Sequence, residues 1–551
     1  VDSFEAARVT ATDPTGPPPG PAPADGAGAA RGRRPARRLP IGGAWTVAVL
    51  AAFAAYLRLA STRAVNSDGA SQSLQAWDMV HGNLLLSGWK TSDVSFYTTE
   101  LPEYMLVELV RGFNQNAVHV AAAMTYTLVV LFAALVAKGT ATGREAVARV
   151  ALAVGIMLAP QLDSGTNVLL SSPDHIGTSV PLLVVWLVID RARPRWWVPV
   201  VVSLLLAWAL VADSIVLLAG VVPLAGVCAF RLVRGGRRLA DRWYELALGA
   251  GALVAVGIAR GADLVIHALG GYTARPLGTQ LASIGVIEGH NLPIAAQALV
   301  LLPGADFLGL PAGASTDFVV LHLAGVALAA AGIGLAVWRF GRRDADRVSQ
   351  LLLVGLVVNF AVFVVTTYVY DLAAAREIAP MLPFSAALAG RELGPALAGP
   401  WRGARRIAAA ALGLVLAGYL AGFGLELTTP SAPPQAAPLT AWLSSHPIGT
   451  GLSGYWGASV VTLTNGGRVA VRPLIISGDR VAADTAEVKQ EWFDPARSTA
   501  DFVVLFPGST GYPGFTDRRA VLATFGKPAR TYHVGIYTIL WWHRNLLTDL
   551  R

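Results

Sequence analysis

Charge is the first thing this sequence has little of. Only 14% of its 551 residues are Asp, Glu, Lys or Arg, against 54% hydrophobic, whereas soluble domains usually carry about 25% charged residues. That shortage excludes a chain of soluble domains. Cysteine is nearly absent: Cys228 stands alone inside an apolar run, so neither disulfides nor a cysteine metal cage can organise the fold. No HExxH or CxxC spacing occurs, which removes the usual signatures of a tight metal site. Lysine is scarce while alanine and arginine abound, the composition of a GC-rich bacterial genome. The net charge of +8 invites a nucleic-acid reading, but the arginines fall in short clusters between apolar runs, where membrane topology explains them. The chain reads as a multi-pass helical membrane protein with no nucleic-acid partner.

The first 40 residues are polar, rich in Pro, Gly and Ala, and end in the basic run Arg31-Gly32-Arg33-Arg34-Pro35-Ala36-Arg37-Arg38. Such a composition cannot bury a core and predicts a disordered cytoplasmic tail over residues 1–40. No early apolar stretch with a small-residue cleavage site precedes the run, so no removable signal peptide is expected. A spanning helix needs about 20 mostly apolar residues. Runs of that kind place spans at Ile41–Ala60, Ala117–Ala137, Val150–Leu162, Ile176–Ile189, Trp196–Ala212 and Ser214–Phe230. Further spans are placed at Tyr244–Ala268, Phe318–Trp338, Val348–Tyr370, Ile378–Leu397 and Ile407–Gly424, about eleven in all.

Basic residues concentrate in cytoplasmic loops, and here they alternate as that rule requires. One set of loops carries Lys138, Arg144 and Arg149, then Arg191, Arg193 and Arg195, then Arg231, Arg234, Arg237, Arg238 and Arg242. The same set continues with Arg339, Arg342, Arg343 and Arg347, then Arg402, Arg405 and Arg406. The N-terminus is therefore expected inside and the C-terminus outside. Leu292–Leu310 is apolar enough for another span, but Pro293, Pro303, Gly304 and Asp306 interrupt it. Counting it would also invert every later arginine cluster. It reads as an interfacial or re-entrant helix on the outer side.

Residues 41–427 thus form the expected membrane domain, with a long first outer loop over 61–116. Residues 428–551 follow the linker Thr428-Thr429-Pro430-Ser431-Ala432-Pro433-Pro434 and hold no spanning run. Strand-like segments Val469–Ile476, Phe502–Phe506 and Tyr532–Trp542, with helix-like Arg518–Phe525, predict a small extracytoplasmic α/β domain.

Candidate chemistry lies in the outer loops. Asp68 comes soon after the first span, with Gly69 suited to a tight turn; a carboxylate desolvated at a membrane surface gains proton affinity and can serve as a general base. It can equally cap a helix starting near Ala70. Glu100 and Glu103 stand in the same loop and also fit the first turn of a helix running from Pro102. Asp174 and His175 adjoin where the fourth span begins, a pairing that suits a sugar hydroxyl, a phosphate or a divalent cation; Asp174 also fits a helix cap. Arg376 enters an apolar helix directly from an outer loop and can grip a lipid phosphate through two parallel hydrogen bonds, or simply pair with Glu377 or Asp371. Arg275 is a second candidate for the phosphate.

These positions resemble the GT-C superfamily of membrane glycosyltransferases, which includes protein O-mannosyltransferases, aminoarabinose transferases and actinobacterial arabinosyltransferases. An acid soon after the first span (Asp68), a second in the next outer loop (Asp174, followed by His175) and the segment Arg376–Pro380–Pro383 carry the likeness. The last is similar to the Arg-Tyr-x-x-Pro-x-x-Pro segment of bacterial members, with Glu377 in place of Tyr. Gly454-Tyr455-Trp456 and Phe525-Gly526-Lys527-Pro528 are similar to exported tails of actinobacterial membrane proteins.

The resemblance implies sugar transfer from a polyprenyl-phosphate donor to a cell-envelope glycan or protein, at the outer face of a bacterial plasma membrane. It implies inversion, with Asp68 as general base and Arg376, or Arg275, at the donor phosphate. Asp174, His175, Glu100 and Glu103 would then meet the sugar or acceptor, and Asp68, Asp174 and His175 are the residues available to a divalent cation. A polytopic transporter or lipid-carrier flippase remains an alternative, marked by charge inside the bundle that is sparse here. A non-catalytic scaffold with an exported binding domain is a third.

Overall fold

The computed structural model describes residues 41–234, 242–276, 278–308, 314–342, 344–399, 403–446, 448–508 and 514–550. The tail expected over residues 1–40, and Arg237, Arg238, Arg343 and Arg402, lie outside the described residues. The chain forms two compact units, residues 1–47 and 48–551. Among the described residues the first contains only the opening turns of helix α1, and the second holds everything discussed below.

Helix α1 (Ile41–Ala60) is followed by α2 (Ser67–Val80), α3 (Glu100–Arg111), α4 (Asn116–Lys138) and α5 (Gly143–Met157). Helices Ser179–Arg191, Trp197–Ala212, Leu217–Arg234, Trp243–Ala268, Phe318–Arg339, Arg347–Val365, Met381–Ala398 and Ala404–Glu426 complete the bundle. Every expected span is therefore helical. Seven helices among the described residues are long and apolar enough to cross a membrane by length and composition. The long connection expected over residues 61–116 contains α2 and α3.

Several boundaries differ from the expectation, each for a local reason. α5 stops at Met157 instead of Leu162 because Pro160 disfavours the helical conformation just ahead of it. Residues Asp174–Gly177 form a separate turn before the helix at Ser179. The helix expected to reach Tyr370 ends at Val365, where Thr366 turns extended and pairs with Leu281. The helix expected from Ile378 begins at Met381; Leu372–Ile378 is a tighter 3-10 turn, opened by the Asp371 carboxylate accepting the Ala373 N–H at 2.8 Å. Arg376 thus sits on that turn and does not enter an apolar helix directly.

Helix Ile284–Leu301 covers part of the ambiguous segment and starts earlier than Leu292. At 18 residues it is about 27 Å long, and its middle and the stretch beyond it are held at the C-terminal ends of two bundle helices. Asn291 Nδ2 donates to Val364 O and Thr366 O at 2.7 and 2.9 Å, at the end of Arg347–Val365. Just past it, the Asp306 N–H donates to Gln161 Oε1 at 2.9 Å, beyond the end of α5. The helix is itself one of the seven long and apolar enough to cross a membrane.

One face of the bundle gathers the arginines. Arg391 donates to Asp346 at 2.8 and 3.0 Å, to Asp190 at 2.7 Å and to Val136 O at 2.6 Å. Arg231 and Arg347 share Glu245.

Two sheets complete the chain. Strand β1 (Trp89–Thr91) of the first outer loop lies between β2 (Thr273–Ala274), parallel, and β6 (Val488–Lys489), antiparallel. The second sheet has the order β5-β4-β3-β7-β9-β8, formed by β3 (Gly451–Gly454), β4 (Val471–Ser477), β5 (Arg480–Ala483), β7 (Phe502–Leu505), β8 (Arg530–Val534) and β9 (Tyr537–Trp541). Val503 and Leu540 pack on one side of it and Phe502 and Ile539 on the other, the alternation a two-sided sheet requires. The single strand expected over Tyr532–Trp542 is instead the hairpin β8–β9, turning at Gly535 with φ +59°. Helix Arg518–Phe525 is as expected, capped by Asp517.

Candidate functional site

Asn66 caps α2, its side-chain oxygen accepting the Gly69 N–H at 2.9 Å. The helix therefore begins at Ser67, and Asp68 is a first-turn residue with its carboxylate unused by the cap. Gly69 makes no turn; a Cβ there would lie 2.7 Å from Val118, so glycine lets α2 approach α4.

The Asp68 carboxylate has two partners far away in sequence. Arg376 Nη1 donates to Oδ2 at 2.8 Å and the Tyr455 hydroxyl to Oδ1 at 2.7 Å. The same guanidinium lies 3.9 Å from Asp174 Oδ2 and 3.9 Å from Glu377 Oε1. Its Nε is buried and has no hydrogen-bond partner among the described residues. Asp174 accepts from Gln72 Nε2 at 3.0 Å and Ser172 Oγ at 2.8 Å. Its backbone has φ +31°, a strained conformation for a residue with a side chain.

His175 points the other way. Nδ1 lies 2.9 Å from Asp213 Oδ2 and Nε2 3.3 Å from Glu377 Oε2. Asp213 is held in turn by Thr178 Oγ1 at 2.6 Å and the Ile215 N–H at 2.8 Å.

Burial acts against charge on His175, but Glu377 and Asp213 outweigh it and hold the imidazole well above the usual histidine value. Asp174 is pushed up by burial and by Asp68, against the pull of Arg376 and His175. Burial also opposes charge on Arg376, yet Asp68, Tyr370, Asp174 and Glu377 keep it protonated. Burial and the Asp68 charge raise Tyr455, so its hydroxyl stays a donor.

Beside this cluster a cavity of about 240 Å³ is lined by the polar side chains of His175, Glu377, Asp93 and Tyr368 together with the apolar ones of Leu217, Leu218, Val362 and Phe363. A polar head and a hydrocarbon chain fit such a mixed lining.

Four of the candidate residues thus come together: Asp68, Arg376, Asp174 and His175. Glu100 is buried behind them, against Gly177, with Thr99 donating to it. Glu103 accepts from Thr125 of α4, outside the cluster. Arg275 is exposed and lies toward Asp484 in the C-terminal region. The divalent cation does not fit the residues proposed for it. Both His175 ring nitrogens face carboxylates, and the Arg376 guanidinium already bridges Asp68 and Asp174. Among the described residues no group of three or more His, Cys, Asp or Glu is arranged to hold a metal ion.

Sequence reasoning missed Asp213, whose signal was a lone acid ending an apolar run. It also left Tyr455 without a role, and it read Glu377 as a departure from a motif or a partner for Arg376, when Glu377 also holds His175.

No protein-family model and no curated protein matches the chain. Among solved structures it is similar to ArnT from Cupriavidus metallidurans bound to undecaprenyl phosphate, with 15% identity and a TM-score of 0.54 over 90% of this chain and 98% of that one. The apo form of that ArnT gives 14% identity and 0.54 over 93% and 100%. An Archaeoglobus fulgidus oligosaccharyltransferase gives 13% and 0.47 over 83% and 67%. The chain has an ArnT-like fold.

Proposed function

We propose that the protein is a membrane glycosyltransferase that moves a sugar from a polyprenyl-phosphate donor to a cell-envelope glycan or protein at the outer face of a bacterial plasma membrane. On this reading residues 41–427 are the membrane domain and 428–551 lie outside the cytoplasm. The observation that carries it is the meeting of Asp68 with Arg376, whose buried Nε has no hydrogen-bond partner among the described residues, beside a cavity lined by both polar and apolar side chains. The ArnT-like fold supports it, and one ArnT structure is bound to undecaprenyl phosphate.

The chemistry follows from where the charges sit. A phosphate oxygen on Arg376 satisfies the orphaned Nε, and its negative charge draws the guanidinium away from Asp68, freeing Oδ2. An acceptor hydroxyl then gives its proton to Asp68 as its oxygen bonds to the anomeric carbon. The bond from that carbon to the phosphate oxygen breaks on the far side, which inverts the centre. The electron pair leaves with the polyprenyl phosphate, and Arg376 stabilises the charge that develops there. Asp174, strained and hydrogen-bonded by Gln72 and Ser172, sets the guanidinium from below. His175 and Glu377 face the sugar side of the cavity.

The test is direct. Purified protein is incubated with radiolabelled polyprenyl-phosphate sugars and envelope glycans, and label is sought in the glycan. Transfer that disappears in Arg376→Gln supports the reading; no transfer from any such donor removes it.

A further inference from the structure

A second cavity lies away from the Asp68 cluster, within the spanning helices. It has a volume of about 610 Å³ and separates α5 from helix Ala404–Glu426. Val147, Ala151 and Gly155, each four residues from the last, form the α5 wall, and Ala409, Gly413 and Leu416 face them. Spacings of three and four put each set on one helical face. Ala151, Gly155, Ala409 and Gly413 leave the space between the walls unfilled, and helix Ala404–Glu426 is almost wholly unburied along its length.

The two ends of this groove differ in polarity. One is closed: His322 Nδ1 lies 3.0 Å from Pro303 O, and its ring meets Tyr419 edge-on at 4.0 Å. The other opens at the arginine-rich face, where Arg144 lines the mouth. Arg406, one turn before Ala409, is exposed on the same helical face.

We infer that this groove binds one acyl chain of an anionic phospholipid drawn from the leaflet on the arginine side, with the phosphate at Arg144 and Arg406. Three observations favour that occupant. From Arg144 to Ile156 the groove runs about 18 Å along α5, slightly more than the ~15 Å of one leaflet of a ~30 Å hydrocarbon core. Its walls between the two ends are apolar, from Val147 and Leu152 to Leu412 and Leu416, as a hydrocarbon chain requires. The cationic mouth sets the sign of the head group, and the closed end at His322 offers nothing to a phosphate entering from the other face. Water is a poor occupant, because almost no polar atoms line the walls to hold it. The inference does not depend on the proposed reaction.

Full-length protein stripped in detergent and analysed by native mass spectrometry, after adding dioleoylphosphatidylglycerol or dioleoylphosphatidylcholine, tests it. The expected result is one retained phosphatidylglycerol, weaker retention of phosphatidylcholine, and a higher unfolding temperature with the anionic lipid. Ala151→Leu fills the groove and should abolish that retention while its lipid-free unfolding temperature is unchanged or higher; Gly413→Leu on the facing helix serves if Ala151→Leu does not fold. Arg144→Gln should reduce phosphatidylglycerol to the level of phosphatidylcholine. Equal retention of both lipids by the native protein, undiminished retention by the groove-filling variants, or a dimer that these variants dissociate would each overturn it.

Discussion

Asp68 has its two oxygens held by donors that come from opposite parts of the chain, Arg376 at 308 residues away and Tyr455 at 387. Tyr455→Phe keeps the ring and removes one donor. A hydrogen bond to a charged group contributes about 1.5–3 kcal/mol, less here because water reaches the site. The variant should therefore stay folded, retain polyprenyl phosphate and lose turnover as the carboxylate loses its orientation. Unchanged turnover would show Tyr455 to be only a packing residue. His175 gives a pH prediction. Its folded value lies above the unfolded value of about 6.5. The stability it contributes is full below about pH 6.5 and is lost as pH rises through the folded value. The gap in unfolding temperature between the native protein and His175→Gln should thus narrow toward alkaline pH; a widening gap would contradict the carboxylate pairing. Asp68, Asp174, His175 and Arg376 were legible because each stands at the edge of an apolar run, where a charge is conspicuous. Their partners were not: the contact of His175 with Asp213 joins two loops 38 residues apart, and nothing local announces it.

At the scale of elements, close helix contacts rest on missing side chains. Gly332 lies so near helix Met381–Ala398 that a Cβ would sit 2.6 Å from the Ala389 Cα, with no flexible side chain to yield. Gly332→Ala should lower stability by about 1–3 kcal/mol, the usual range for overpacking; thermal unfolding in detergent measures it, and an unshifted transition would mean the helices slide apart freely. Helix positions themselves follow from runs of apolar residues and were read within a few residues. The failures came where backbone geometry departs from a plain helix. Wider turns at Leu217–Val221 and Ile287–Asn291, the tight turn carrying Arg376, and the β8–β9 reversal at Gly535 have no signature in hydropathy alone.

For the whole molecule, the two faces of the bundle are held by different means. The arginine-rich face is locked by Arg391 between Asp190 and Asp346. Arg391→Leu leaves the Asp190 carboxylate buried without its partner and should cost about 3–5 kcal/mol, a loss that Arg391→Lys would not fully restore because lysine lacks the planar fork. The Asp68 face is closed by the C-terminal region, through Tyr455 and the β1–β6 pairing. That coupling was invisible in the sequence, where residues 428–551 looked like a separate appendage. The most direct test of the central claim separates binding from chemistry in one pair of variants. Binding of undecaprenyl phosphate and sugar transfer are measured side by side for Asp68→Asn and Arg376→Gln. Asp68→Asn should keep the lipid and lose transfer by about 10²–10⁴-fold, the usual contribution of a general base, while Arg376→Gln should weaken the lipid itself. Full transfer by Asp68→Asn, or lipid binding unaffected by Arg376→Gln, would contradict a base and a phosphate grip working in one site.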